Sequence, residues 1–319
     1  MVVKLRQVFK LVKPTKFSVV IPTFNSANTI LSTLESLNAQ KWTSLEVIIV
    51  DGKSTDNTLA LISNYGDLNC VVVSEKDRGI YDAINKGIRM STGDLICIIG
   101  SDDSLADGAL KAIDEAWRND PADIVAGKAL LVKPDGSSSL RKDEAYGPGA
   151  LISGIPFCHN AMFVTPAAYQ RVGEYSLDYK ICADAHWVHR SIVAGCRCAR
   201  VDSVIVNFSL DGTSSNNDEL IMSETYSLVR GNFPVLSQSD AETVFKVVRG
   251  WIGEESLPSV LSKYKDNSAL VSAVETAIAA KYDAELSEGN SAVPKRRAKG
   301  KFSLFVRAAL TKLSVFIQS

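Results

Sequence analysis

The sequence predicts an α/β fold: a mostly parallel central sheet flanked by helices, followed by a helical C-terminal extension. Three observations predict it. Continuous apolar runs alternate with amphipathic helical segments through residues 17–126, the pattern of strands covered on both faces. Apolar runs end directly on polar clusters, at the positions where the carboxyl ends of parallel strands form a ligand crevice. Residues 218–287 keep only the helical pattern, with breaks near Pro234, Pro258 and Asp266.

In chain order, Phe17–Pro22 reads as the first strand, and Ala27–Asn38 as a helix carrying Ile30, Leu34 and Leu37 on one face. Leu45–Val50 is the second strand. Asp56–Ser63 is a helix that Asp56 or Ser54 can cap. Cys70–Ser74 is the third strand, and Ile80–Met90 a helix with Tyr81, Ile84 and Ile88 aligned. Leu95–Ile99 is the fourth strand, Gly108–Trp117 a helix, and Ile124-Val125 opens a fifth strand. The second half is less regular. Residues 128–141 suggest a hairpin around Pro134-Asp135-Gly136. Phe163-Val164 and Val204–Phe208 read as strands, and Ala183–Val193 as a helix. Ser287–Lys301 reads as a linker and Phe302–Gln318 as a terminal helix. There is no internal repeat. The expected organisation is a basic amphipathic segment (1–16), a catalytic domain (17–215), a helical region (216–287), and a basic linker with an amphipathic helix (288–319).

Composition narrows the function classes. With 46% hydrophobic and 22% charged residues, the 319-residue chain can bury a core. Its net charge of -1 conceals an uneven distribution. Lys4, Arg6, Lys10, Lys13 and Lys16 stand at one end without an acid. Lys295, Arg296, Arg297, Lys299, Lys301, Arg307 and Lys312 stand at the other, again without an acid. All 36 acidic residues therefore lie between them. An acidic body argues against nucleic-acid binding, while basic ends suit an anionic surface. Phe302, Phe305, Ala309, Leu313 and Phe316 share one face of the terminal helix, as in a helix lying at a membrane interface. Packing on the body or self-association accounts for the same pattern. No run approaches the length of a membrane span, and no secretory leader is evident. The six cysteines do not resemble a disulfide framework, which fits a cytoplasmic protein.

The candidate chemistry sits in four clusters: Thr23-Phe24-Asn25-Ser26, Asp51–Asp56, Glu75–Gly79 and Gly100-Ser101-Asp102-Asp103. Adjacent carboxylates at Asp102 and Asp103 repel one another. A hard cation such as Mg²⁺ or Mn²⁺ relieves that cost and prefers oxygen ligands plus a substrate phosphate; a polar capping loop is the simpler account. Asp51 can accept hydrogen bonds from a nucleobase or ribose, or merely form a turn with Gly52. Arg78 can pair with a diphosphate, or form a surface ion pair. Neither a Gly-x-Gly-x-x-Gly nor a Walker phosphate loop is present, which weakens a dehydrogenase or NTPase reading. The three histidines and Cys158 and Cys182 fall between 158 and 189, but no standard zinc spacing occurs.

Val20-Ile21-Pro22-Thr23-Phe24-Asn25 and Val50–Thr58 together resemble family 2 glycosyltransferases of the A-type, Rossmann-like fold. Glu75–Gly87 is similar to a block in the bacterial polysaccharide-biosynthesis members, and Gly93-Asp94 with Gly100–Asp103 completes the set. The resemblance covers about residues 17–215. It implies an inverting transfer from a nucleotide diphosphate sugar, UDP-linked first and GDP-linked second, to a lipid-linked or growing glycan. It implies that Pro22, Thr23 and Asn25 line the nucleotide pocket, Asp51 contacts the base and Arg78 lies near the phosphates. Asp103 would ligate Mn²⁺ or Mg²⁺, with Asp102 on the donor ribose or sugar; this chain has Ser-Asp-Asp where a spaced Asp-x-Asp is usual.

Asp184 matches the family's base position, although Ala183 replaces the usual glutamate before it. Asp184 would deprotonate the acceptor hydroxyl; its alternative role is to cap the helix that follows. His159, in Pro156–Asn160, would touch acceptor or donor phosphate, or serve structure alone. Asp211–Ser215 resembles a mobile loop that closes over the donor. The implied location is cytoplasmic, peripheral on the inner membrane face. A sugar nucleotidyltransferase is the rival enzyme, but it would want a Gly-rich basic loop near the start, and none is present. A membrane-associated scaffold without chemistry is the non-enzymatic rival.

Overall fold

In the computed structural model, residues 14–210 and 217–287 are described. Residues 1–13 of the basic N-terminal segment, the Asp211–Ser215 loop and the amphipathic helix expected over Phe302–Gln318 lie outside them.

The first strand explains the layering. In β1 (Phe17–Thr23) all seven residues are buried. Phe17, Val19 and Ile21 face one core layer and Val20 the other, because alternate strand residues point to opposite faces. One layer is closed by α1 (Ile30–Ala39), α2 (Thr58–Asn64) and α4 (Ala109–Asn119) through Leu34, Ile62 and Ile113. The other is closed by α3 (Ile80–Met90), α6 (Pro166–Val172) and α7 (Ala183–Val193) through Ile84, Tyr169 and Trp187.

Strands β2 (Leu45–Asp51), β3 (Cys70–Ser74) and β4 (Leu95–Ile98) join β1 in the order β3-β2-β1-β4, all parallel. The sheet continues through β8 (Met162–Val164), β6 (Ile124–Val132), β9 (Cys198–Ser209) and β5 (Ser104–Leu105), with β7 (Ser138–Leu140) beside β6. Here β8, β7 and β5 run against their neighbours, while β6 and β9 are parallel. Parallel strands thus dominate, and the reversals gather on the side added after residue 100. The register of β6 and β9 slips around Lys128. The end of β9 then comes beside the loop after β4, where the Ser209 N–H donates to Asp103.

The first helix begins at Ile30 rather than Ala27. The reason is local: the Ser26 N–H bonds Thr58 Oγ1 and the Ala27 N–H bonds Asp56 Oδ2, so these residues are committed to the neighbouring loop. Strand β9 runs well beyond Val204–Phe208, because its polar first half pairs with β6. Neither α6 nor the short β5 was expected. The signal for α6 was present, since Thr165 caps it by accepting from the Ala168 N–H and Pro166 starts it.

The helical region forms its own apolar cluster from α8 (Asp218–Asn232), α9 (Gln238–Val248), α10 (Leu257–Lys263) and α11 (Ser268–Ser287). Ile152, on the short helix α5 (Ala150–Ser153), enters that cluster, and Leu228 of α8 packs on Cys182 and Ala185. Among the described residues, no helix is long and apolar enough to cross a membrane.

Candidate active site

A cleft of about 1110 Å³ opens beyond the carboxyl ends of β1 and β4. Pro22, Thr23, Asn25, Asp102, Asp103, His159 and Asp184 all line it. Asp51 and Arg78 do not belong to its lining.

The loops that frame it are tied to one another. Asn25 takes a left-handed conformation, φ +50°, which asparagine tolerates better than most residues. Its N–H donates to Ser54 Oγ at 2.8 Å, and its Oδ1 accepts from the Thr55 N–H at 2.9 Å. Ser26 Oγ meets Ser101 Oγ at 2.7 Å, joining the β1 loop to the β4 loop. Gly52 lets the third loop approach: a Cβ there would stand 2.5 Å from Asp77 Oδ2.

Asp51 explains the shape of the second loop. Its carboxylate is fully buried. It accepts from the N–H groups of Lys53 and Ser54 and from the hydroxyls of Ser54 and Ser74. Asp56 bonds the Thr58 N–H at the start of α2, yet both oxygens of Asp51 are also engaged within the fold. Arg78 takes the surface ion pair named as its alternative to a diphosphate contact. It is largely exposed, and its guanidinium turns to Asp82 at 3.3 Å. The i,i+4 spacing and the bond from the Arg78 N–H to the same carboxylate favour that pairing.

Asp103 is only 3% exposed. Its Oδ1 accepts from the Ser209 N–H at 2.8 Å, and its Oδ2 from the Gly100 N–H at 3.2 Å and the Asn160 amide. Burial, reinforced by neighbouring Asp102, outweighs these donors and pushes the carboxyl up to about 7. Asp102 is the less buried of the pair. A Cβ on Gly100 would sit 2.7 Å from both Asp102 Oδ1 and Asp103 Oδ2, so the two carboxylates converge on the space that this glycine leaves open. Hard oxygens held together at a cost in charge repulsion fit a divalent cation. No three potential ligand side chains gather among the described residues, so the remaining ligands would come from a substrate or from water.

His159 is buried, its Nε2 paired with the Tyr175 hydroxyl at 2.7 Å and its Nδ1 3.3 Å from Asn160 Oδ1. Burial lowers its basicity, with Asp184 acting in the opposite sense. Asp103, Asn160, His159 and Tyr175 therefore form one polar chain across the cleft floor. At its far side, Asp184 is the second residue of α7 and accepts from the Ala185 N–H. It is not the N-cap, a position held by Cys182. Burial raises its carboxyl above the ordinary value, partly opposed by His159 and by backbone N–H groups.

The approach to Asp184 is clamped from two sides by residues that the sequence did not reveal. Glu224, from α8, accepts the N–H groups of Lys180, Ile181 and Cys182 at 2.7, 3.0 and 2.8 Å. Tyr81, from α3, donates its hydroxyl to the Ile181 carbonyl. Lys180 itself is exposed and lines the cleft. A buried Glu in a helix whose other faces read normally carries no local signal. Asn160 and Tyr175 stood within or beside the motifs already singled out, but without assigned work.

The description "Glycosyl transferase family 2" belongs to the family model that matches residues 18–173. A PGL/p-HBAD biosynthesis glycosyltransferase of Mycobacterium bovis is 32% identical over 174 residues, 53% of this chain and 66% of that protein. The chain thus spans just under two thirds of that relative. An uncharacterized glycosyltransferase of Mycobacterium tuberculosis is 27% identical over 209 residues, 63% of this chain and 78% of the relative. Among solved structures, S. aureus TarS 1-349 in complex with UDP-GlcNAc superposes with a TM-score of 0.58 at 16% identity, covering 87% of this chain and 93% of that one. At that identity the likeness establishes the fold.

Proposed function

Given that the chain belongs to glycosyltransferase family 2 through residues 18–173, we propose that its cleft transfers a sugar from a nucleotide diphosphate sugar, UDP-linked, to a hydroxyl of a lipid-linked or growing glycan. The observation that carries this reading is the convergence of Asp102, Asp103 and Asp184 on one cleft, with Asn160 and His159 between them.

The nucleotide lies on the β1 loop, where Thr23, Asn25 and Pro22 border the cleft. Asp51 acts from beneath by fixing the 51–54 turn. Phe24 is 61% exposed at the cleft edge, a ring free to stack on a base. Asp102, as the more accessible carboxylate, would hold a Mn²⁺ or Mg²⁺ ion, while Asp103, bonded by Ser209, Gly100 and Asn160, braces the loop; the resemblance had given the ion to Asp103. A cation bound there supplies positive charge against the leaving diphosphate. Lys180, on the same cleft, adds a second positive group within reach of the donor. Arg78 reaches it only by leaving Asp82.

In the transfer, the acceptor oxygen forms a bond to the anomeric carbon on the face opposite the departing diphosphate, so the configuration inverts. The hydroxyl proton passes to the carboxylate of Asp184, whose burial makes it a stronger base than an exposed aspartate. His159, held by Tyr175, borders the acceptor side. The basic terminal segments keep the enzyme on the inner face of an anionic membrane, close to a lipid-linked acceptor.

The test is a transfer assay with a panel of nucleotide sugars, extracted glycolipid acceptors and Mn²⁺. The wild type is expected to release UDP from one donor with acceptor dependence. Asp184→Asn is expected to lose about 10²- to 10⁴-fold in rate while still binding UDP. Undiminished transfer by Asp184→Asn would refute the assignment of the base.

A further inference from the structure

A second cavity, of about 430 Å³, lies on the other side of α7 from Asp184. It is bordered by Arg171, Tyr179, His186, Arg190, Val193 and Leu228. His186 and Arg190 are one helical turn apart, so they share a face. Asp184, two residues before His186, points to the opposite side. Leu228 touches both cavities and separates them.

Every charged residue in this lining is basic. Arg171 is matched by Asp123 at 3.2 Å. Arg190 has no carboxylate partner among the described residues: its terminal nitrogens donate to the carbonyls of Val172 and Glu174, and the Glu174 carboxylate is taken by Arg89. The Arg190 Nε and the His186 Nδ1 are the two buried side-chain polar atoms left without a hydrogen bond among the described residues, where interiors normally pair such atoms. Burial and then Arg190 oppose protonation of His186, and Asp178 favours it. The ring of Tyr179 lies 4.9 Å from that of His186 and forms an aromatic wall.

A guanidinium without a carboxylate partner, an imidazole one helical turn away and a concave, half-apolar wall describe a binding site for a compact anion. We propose that this cavity binds a phosphate or carboxylate group, free or carried on a small body such as a sugar, at a site separate from the donor cleft. The oxyanion lies against Arg190 and the imidazole edge of His186, and its carrier lies against Tyr179 and Leu228.

The chain has three histidines, so its imidazole proton resonances can be assigned with His186→Asn. Inorganic phosphate, a hexose phosphate, a hexuronate and an uncharged hexose are titrated into the full chain. The expected result is a saturable shift of the His186 resonance with the anions and none with the neutral sugar. Tighter binding of the hexose phosphate than of inorganic phosphate assigns the site to a sugar-borne group; equal binding assigns it to the free ion. Arg190→Gln should abolish the shift. Because Arg190 also caps two carbonyls, Val193→Glu provides a variant at a 74% exposed rim position; the added carboxylate should weaken binding about tenfold. No saturable shift at His186, an equal response to the neutral sugar, or unchanged affinity in Val193→Glu would overturn the proposal. Donor binding in the main cleft is indifferent to either result.

Discussion

Removal of the Glu224 side chain should damage the enzyme twice, in stability and in rate. Its carboxylate accepts three consecutive N–H groups, those of Lys180, Ile181 and Cys182, at 2.7 to 3.0 Å. Glu224 is only 9% exposed, so water does not readily replace it. Hydrogen bonds to a charged group contribute about 1.5–3 kcal/mol each, and they are not additive. Glu224→Ala should therefore lose roughly 3–5 kcal/mol of unfolding free energy. Glu224→Gln keeps one carbonyl acceptor but turns an amide NH₂ toward an N–H donor, and should lose about half as much. Asp184 follows Cys182 by two residues, so a loosened 180–182 segment displaces the proposed base. A displacement of about 1 Å can lower kcat about a hundredfold, whereas UDP affinity should hold, because the proposed nucleotide site is on the β1 loop. Urea unfolding, calorimetry with UDP and the transfer assay measure the three quantities. A Glu224→Ala protein within about 0.5 kcal/mol of wild type, with wild-type kcat, would refute the argument that this carboxylate positions the base loop.

Three further outcomes follow from the same geometry. Gly100→Ala places a Cβ 2.7 Å from oxygens of Asp102 and Asp103; it should weaken cation-dependent UDP binding at least about tenfold, measured by calorimetry. Asp103 holds its proton to about pH 7 in the fold, against 3.8 for the ordinary carboxyl. Between those values the folded state binds a proton that the unfolded chain has released. Its contribution therefore falls as pH rises through the window, by about 4 kcal/mol in all. Thermal unfolding should show that decline flattened in Asp103→Asn and offset by Mn²⁺ with UDP at neutral pH. Finally, deletion of residues 295–319 should reduce sedimentation with anionic liposomes, and equal partition of both forms would remove the membrane role of that segment.

Much of the catalytic architecture was legible before the structure. The alternation of apolar runs and amphipathic helices gave the β3-β2-β1-β4 half, because strands buried on both faces leave unbroken runs such as those of β1 and β2. Three of the four polar clusters at the strand ends border the cleft, and Asp51–Asp56 does not. What the sequence concealed depends on contacts between distant segments. Asp51 reads as a ligand-facing carboxylate until Ser74, from the next strand, closes over it. The engagement of Asp103 within the fold follows from Asn160 and Ser209, which arrive from 57 and 106 residues away. Glu224 sits in a helix whose own pattern is ordinary, and its purpose appears only when α8 packs against the start of α7. The antiparallel entry of β8 was equally hidden, since a three-residue apolar strand carries no direction.

In the proposed enzyme, loops from separate strands meet at one donor, and the aspartates after β4 would hold its cation. Calorimetric titration of UDP into wild type and Asp102→Asn, each with and without Mn²⁺, tests this most directly. The prediction is binding to the wild type that strengthens when Mn²⁺ is present, and a residual, Mn²⁺-independent affinity in Asp102→Asn. Wild-type binding that ignores Mn²⁺, or an Asp102→Asn protein that keeps the full Mn²⁺ enhancement, would contradict it.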